Sequence, residues 1–168
     1  MYSTNLLFRI TKAAAVSAVG LMCLLVVIGN VTDYYTNYAF VQHVMNMDTT
    51  FPQSNVHYRA MHQPFLFHTG YILLITVETV TAFCCIKGGW LLWKNLRTSA
   101  SQFHVSKNLG VAGLLLGIFI WFVCFEVIGG EWFSMWQSQT WNGLYSADRI
   151  VTFITLCLIL LHLKDEEL

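Results

Sequence analysis

Four long apolar runs, residues 13–29, 65–90, 109–130 and 150–163, leave this chain few ways to fold in water. A helix rises about 1.5 Å per residue and the hydrocarbon core of a bilayer is about 30 Å thick, so a crossing takes about 20 residues. The second and third runs suffice as they stand. The first gains length from its flanks and reads as a span over about residues 10–31, while the fourth draws on residues 144–147 and reads as about 146–163. With the other two taken as 65–93 and 109–130, the expected fold is all-α: a four-transmembrane-helix bundle with short interfacial helices in the two outer loops, formed by residues 1–168 as one membrane domain.

Composition agrees with this. The 168 residues are 56% hydrophobic and 11% charged, against about 25% charged in soluble domains, so the solvent of this chain is lipid. Nine basic residues balance nine acidic ones and are scattered along the chain. No stripe of positive charge is available for phosphates, which argues against a nucleic-acid partner.

Small residues Ala13, Ala14, Ala15 and Ala18 precede the most apolar part of the first run, 21–28, whereas a cleaved leader carries them after it; the run is expected to stay as a helix. Lysine and arginine near span ends stay cytoplasmic. Arg9, Lys12, Lys87, Lys94, Arg97, Lys107 and Lys164 fall on one side and only Arg59 and Arg149 on the other, so both termini are expected inside and the loops 31–63 and 131–146 outside. All five cysteines, Cys23, Cys84, Cys85, Cys124 and Cys157, lie within spans, where they read as packing residues rather than a disulfide framework.

The outer loops are patterned for packing. Tyr34, Tyr38, Val41 and Met45 recur at helical spacing, which predicts an amphipathic helix along the membrane surface, ended by the Asp48 to Pro52 stretch. A second helical piece is expected before Pro64, a residue suited to a helix's first turn. In the other loop, Trp132, Trp136 and Trp141 form an interfacial belt, matched on the inner side by Trp90 and Trp93.

Two stretches carry a family resemblance. Gly29-Asn30-Val31-Thr32-Asp33 through Phe40-Val41-Gln42-His43-Val44 and Met47-Asp48-Thr49-Thr50-Phe51-Pro52, together with Val127 to Gly143, a segment that includes Gly129-Gly130-Glu131-Trp132-Phe133-Ser134-Met135-Trp136, resemble a bacterial family of predicted small integral membrane proteins of unknown function. The resemblance covers nearly the whole chain. It implies a bacterial inner-membrane protein with its outer loops in the periplasm, and brings no activity and no functional residues with it.

Ionisable groups at membrane depth are functional candidates by default, because burying them in lipid is costly. Glu78 stands twelve residues from both Leu66 and Trp90, near the middle of its helix, and heptad spacing puts Tyr71, Glu78 and Cys85 on one face with Thr81 beside them. It reads either as a proton-carrying or substrate-binding carboxyl or as a neutral packing residue bonded to a neighbouring hydroxyl. Glu126 lies about a turn from Gly130 and is expected to form a structural ion pair with Arg149; Lys87 is expected to snorkel to the inner surface. Gly110, Gly113 and Gly117 share a face of the third span and suit close helix packing, as do Ala13, Ser17 and Gly20 on the first.

The loop residues His43, Met47, His62 and His68 are weak candidates for a copper-like metal, since imidazole and thioether suit Cu(I), but their spacing matches no metal signature and no metal is expected. His68, His104 and His162 lie at different depths and offer no pair for haem. No phosphate loop, catalytic nucleophile or other cofactor motif occurs, so the chain reads as non-enzymatic. Two functions remain from the sequence: an accessory or structural subunit of a larger membrane or envelope complex, bound through its helices or outer loops, and a homo-oligomeric small-solute, drug or proton-linked transporter using Glu78. Its partners are the lipid bilayer and either another membrane protein or a second copy.

Overall fold

A computed structural model describes residues 4–168. Within them α1 (Thr4–Thr32), α3 (Pro64–Lys94) and α6 (Leu144–His162) are continuous helices, and α5 (Asn108–Ile118) runs on into a π-helix (Phe119–Trp132). These four are long and apolar enough to cross a membrane. Two shorter helices join them, α2 (Tyr34–Asn46) between α1 and α3, and α4 (Ala100–Val105) between α3 and α5. The beginning of α1 and the end of the chain meet at one end of the bundle, where Asn5 Nδ2 donates to Glu167 O at 2.6 Å. That end is called the termini face and the opposite one the loop face.

Bundle packing follows from the glycines. A methyl group on Gly20 would stand 2.8 Å from Ile86 N, one on Gly88 2.7 Å from Gly110 Cα, and one on Gly113 2.9 Å from Cys85 N. Helix backbones therefore touch with no side chain between them, which is how helices in lipid gain dispersion contact when no hydrophobic effect drives them together. Gly117 instead makes room for a side chain of α6, with Ile154 Cδ1 2.9 Å from where a methyl group would stand. Gly110, Gly113 and Gly117 thus face α1, α3 and α6 of the same chain.

A second, smaller core lies at the loop face, where Val44 and Met47 of the first loop pack with Phe133 and Met135 of the second. The two loops are also bonded to each other: Phe51 N donates to Gln137 Oε1 at 3.0 Å, and Thr49 Oγ1 lies 2.8 Å from Ser138 Oγ. α2 forms as its spacing predicts and ends at Met47, which takes a left-handed conformation at φ 54°. The helical piece expected before Pro64 is only a 3₁₀ turn, His57–Arg59. Beyond it the backbone extends and Met61 N donates to Met45 O at 2.9 Å, so this segment satisfies its polar groups on α2 instead of within a helix.

The π-helix is the other departure. Its bonds reach five residues back, as in Phe133 N to Ile128 O at 3.0 Å, so each residue turns the chain by less than the 100° of an α-helix. A face count made with α-helical periodicity therefore fails along it, Glu126 included.

Candidate functional site

Glu78 is 2% exposed and Tyr71 1%, on the same inward face of α3. The partner of the carboxyl is not a hydroxyl. Asn30 Nδ2 donates to Glu78 Oε2 at 2.7 Å, while the Asn30 carbonyl, one of the last four of α1, accepts from Tyr71 Oη at 3.2 Å. One asparagine near the end of α1 thus ties the two α3 side chains together. Thr81 does not join them, because its hydroxyl donates to Val77 O of its own helix at 2.8 Å.

Register against α1 sets the depth of the carboxyl. Gly20 meets Cys85 and Ile86, and Asn30 meets Glu78, so the carboxyl stands level with the last turns of α1. That is nearer the loop face than a count along α3 implies, since the first turns of α3 rise past α1 to meet α2. There Tyr34 Oη lies 2.8 Å from His68 Nδ1, and Tyr38 stacks on the His68 ring at 4.2 Å.

Glu78 and Asn30 line a cavity of about 390 Å³ that also takes in Asn37, Tyr71, Asn142 and Ser146, with Phe40, Trp121 and Phe125 as aromatic walls. Asn142 and Ser146 are exposed at the loop face, so a polar vestibule leads from the surface down to the carboxyl. The close contacts of Gly20 and Gly113 with α3 close the bundle below it. Glu78 is the one charged side chain of the lining.

The termini face holds a second polar constellation. Arg9 and Lys12, both 1% exposed, and the buried Lys107 converge on the segment after α6. Arg9 Nη1 donates to Leu96 O at 3.1 Å and Thr98 O at 2.6 Å, Nη2 donates to Glu166 O at 2.8 Å, and the guanidinium lies 5.0 Å from the Phe103 ring centre. Lys12 Nζ donates to Leu163 O at 2.5 Å and Asp165 Oδ1 at 2.7 Å; Lys107 pairs with Asp165 Oδ2. Burial pushes the Asp165 carboxyl up, but the hydrogen bonds and charges of Lys107 and Lys12 outweigh it and hold Asp165 below its ordinary range. These three cations had marked only membrane orientation in the sequence. The signal for more was there, in an acidic tail, Asp165-Glu166-Glu167, at the same end of the spans as these bases.

Other candidates are placed apart. Among the described residues no ion pair joins Glu126 to Arg149: the π-helix turns Glu126 toward Glu131 and Asp148, and Arg149 lies 5.9 Å from the Tyr145 ring centre. His43 Nδ1 lies 2.8 Å from Asp48 Oδ2, His62 Nδ1 2.5 Å from Asn46 Oδ1, and Met47 is buried in the small core, so these residues and His68 have separate partners and do not converge. The tryptophans divide as well. Trp132, beneath Arg59 at 4.8 Å, and Trp136 are half exposed, but Trp141 folds onto α2, stacked on His43 at 4.5 Å.

Residues 8–164 match a family described as predicted small integral membrane protein (DUF2165). The chain belongs to this family. Its function is unknown, and the four apolar helices agree with the integral membrane character that the description gives. No curated protein and no solved structure matches the chain.

Proposed function

We propose that this membrane protein takes a small ligand into the vestibule from the loop face and holds it against Glu78. One observation carries the reading: a carboxyl at membrane depth, held by Asn30, forms the floor of a polar cavity whose rim is exposed. Keeping an ionisable residue in a span costs about 2.5–3.5 kcal/mol at the helix centre, so such residues are retained where they bind or transfer something. The cavity lies within one chain, so a bound ligand needs no second copy, although transport across the membrane requires the packed layer below Glu78 to open. By the distribution of basic residues, seven against two, the loop face is the periplasmic side of a bacterial inner membrane, with both termini cytoplasmic.

Access is the test. In right-side-out vesicles carrying Ser146→Cys, with the native cysteines replaced by alanine, a membrane-impermeant maleimide is expected to label the new thiol. A water-soluble carbodiimide is expected to modify Glu78 in the wild-type chain and to leave Glu78→Gln unmodified at that position. Labelling of Ser146→Cys only in inverted vesicles would reverse the orientation, and a carboxyl inert to the carbodiimide from both sides would remove the ligand-binding reading.

A second reading, an accessory subunit of a larger envelope complex, is favoured by the loop face itself. Tyr35, Tyr58 and Tyr145 are each more than three-quarters exposed there, and exposed tyrosine is enriched where proteins meet. Purification in mild detergent distinguishes the two, since a stoichiometric partner released by Tyr58→Ala or Tyr145→Ala supports the subunit role.

A further inference from the structure

Beside the vestibule lies a second cavity of different character. α3 packs closely along α5 but scarcely touches the π-helix, and the gap between them is an apolar cleft of about 430 Å³ beneath α2. Leu73, Phe119 and Ile128 on its walls are exposed on the side of the bundle, where the surrounding medium is lipid. Phe40, Val41, Leu74 and Phe125 line both the cleft and the vestibule, and the Phe40 and Phe125 rings, 6.1 Å apart, stand between the two. These shared residues separate an apolar space open to lipid from a polar space that ends at a carboxyl.

We propose that the ligand is a lipophilic organic cation, its charged centre beside Glu78 in the vestibule and its apolar body in the cleft between α3 and the π-helix. The proposal rests on the ligand-binding reading above and adds the ligand class. Charge complementarity selects the sign: the lining offers one carboxyl and no basic side chain, so an anion entering it loses its hydration and meets no counter-charge. A cation meets Glu78 together with the aromatic rings of Phe40, Trp121 and Phe125, a ring type that attracts positive charge. A strongly hydrated metal ion would gain nothing from the apolar cleft, whereas an organic cation gains burial of its apolar surface there. The adjoining π-helix supplies a reason for the cleft, since π-helical turns widen a helix and recur at functional sites.

Binding of tetraphenylphosphonium to the full chain in phosphatidylcholine discs, with tetraphenylborate as a probe of the same shape and opposite charge, tests this. Saturable phosphonium binding is expected, with at least tenfold weaker binding in Glu78→Gln and no tetraphenylborate binding above that of empty discs. Gly70→Leu is the second variant. A methyl group there meets only the flexible end of Met45, Sδ at 3.5 Å and Cε at 3.8 Å, and Gly70 lines the cleft, so a larger side chain is expected to fill it and weaken binding while leaving Glu78 and Asn30 in place. Equal binding of the two probes, or phosphonium binding unchanged by both substitutions, would overturn the proposal. If carbodiimide still reaches Glu78 and phosphonium neither binds nor protects it, the ligand class fails and the vestibule stands; if Glu78 is inert to carbodiimide, the vestibule reading fails first.

Discussion

The Asp165 carboxylate lies 2.7 Å from the Lys12 ammonium, linking the first helix to the residues that follow the last. Lys107 shares the same carboxylate, so one acidic residue pairs with two buried cations, from α1 and from the turn that opens α5. Removing one partner of a buried ion pair leaves an uncompensated charge and costs about 3–5 kcal/mol. Asp165→Asn is therefore expected to destabilise the bundle by an amount of that order, measured by unfolding in mild detergent. Lys12→Met and Lys107→Met combined with Asp165→Leu should recover part of the loss, because charge is then removed from every partner; a triple variant no better than the single one would show that the cluster does not act through charge.

Acidity probes the same pair. The folded-state pKa of Asp165 is held below its ordinary value of 3.8. The carboxylate therefore adds stability that is fully present above about pH 4 and is lost as pH falls through the lower folded-state value, where the native state too becomes protonated. Melting temperatures recorded downward from pH 6 should fall more steeply in the wild type than in Asp165→Asn below pH 4. Parallel curves would place the acid sensitivity elsewhere.

Helix approach at Gly88 is intolerant of any side chain. A methyl group would lie 2.5 Å from Gly110 N and 2.7 Å from Gly110 Cα, and both of these atoms belong to backbone that cannot step aside. Overpacking of this kind costs about 1–3 kcal/mol. Gly88→Ala should lower stability by that amount. Gly29→Ala, where nothing lies within 4 Å, should leave it unchanged or slightly raised, and comparison of the two variants under one detergent condition checks the assignment.

Gln137 holds the two loops together by accepting from Phe51 N at 3.0 Å, and it is 8% exposed. Losing an intramolecular hydrogen bond costs about 0.5–1.5 kcal/mol net. In Gln137→Ala the Phe51 amide should exchange with deuterium several-fold faster and the 48–56 segment should be cleaved sooner by protease, with bundle stability little changed. An unchanged exchange rate at Phe51 would mean that the small loop-face core, not this bond, fixes the loop.

Much of this was legible in the chain because lipid imposes a simple rule. A segment that crosses hydrocarbon must be long, apolar and helical to satisfy its own backbone. The runs around Val19, Leu74, Leu114 and Ile154 announce four spans without reference to one another, and Tyr34, Tyr38, Val41 and Met45 announce α2 in the same way. The glycines of α5 and the carboxyl of α3 could also be picked out as residues that a lipid-facing helix has no use for.

Partnership was beyond such reading, since it depends on how far each helix slides and turns against its neighbours. Asn30 looks like the frayed end of a span until the register of α1 against α3 brings it to Glu78. Glu126 looks poised for Arg149 until π-helical turns rotate it away, and Asp165 looks like a solvated tail until the chain folds back under Lys12 and Lys107. Local pattern fixes which segments enter the membrane because each pays its solvation free energy alone. Only the tertiary structure decides which polar groups meet, because that outcome belongs to all the helices packed together.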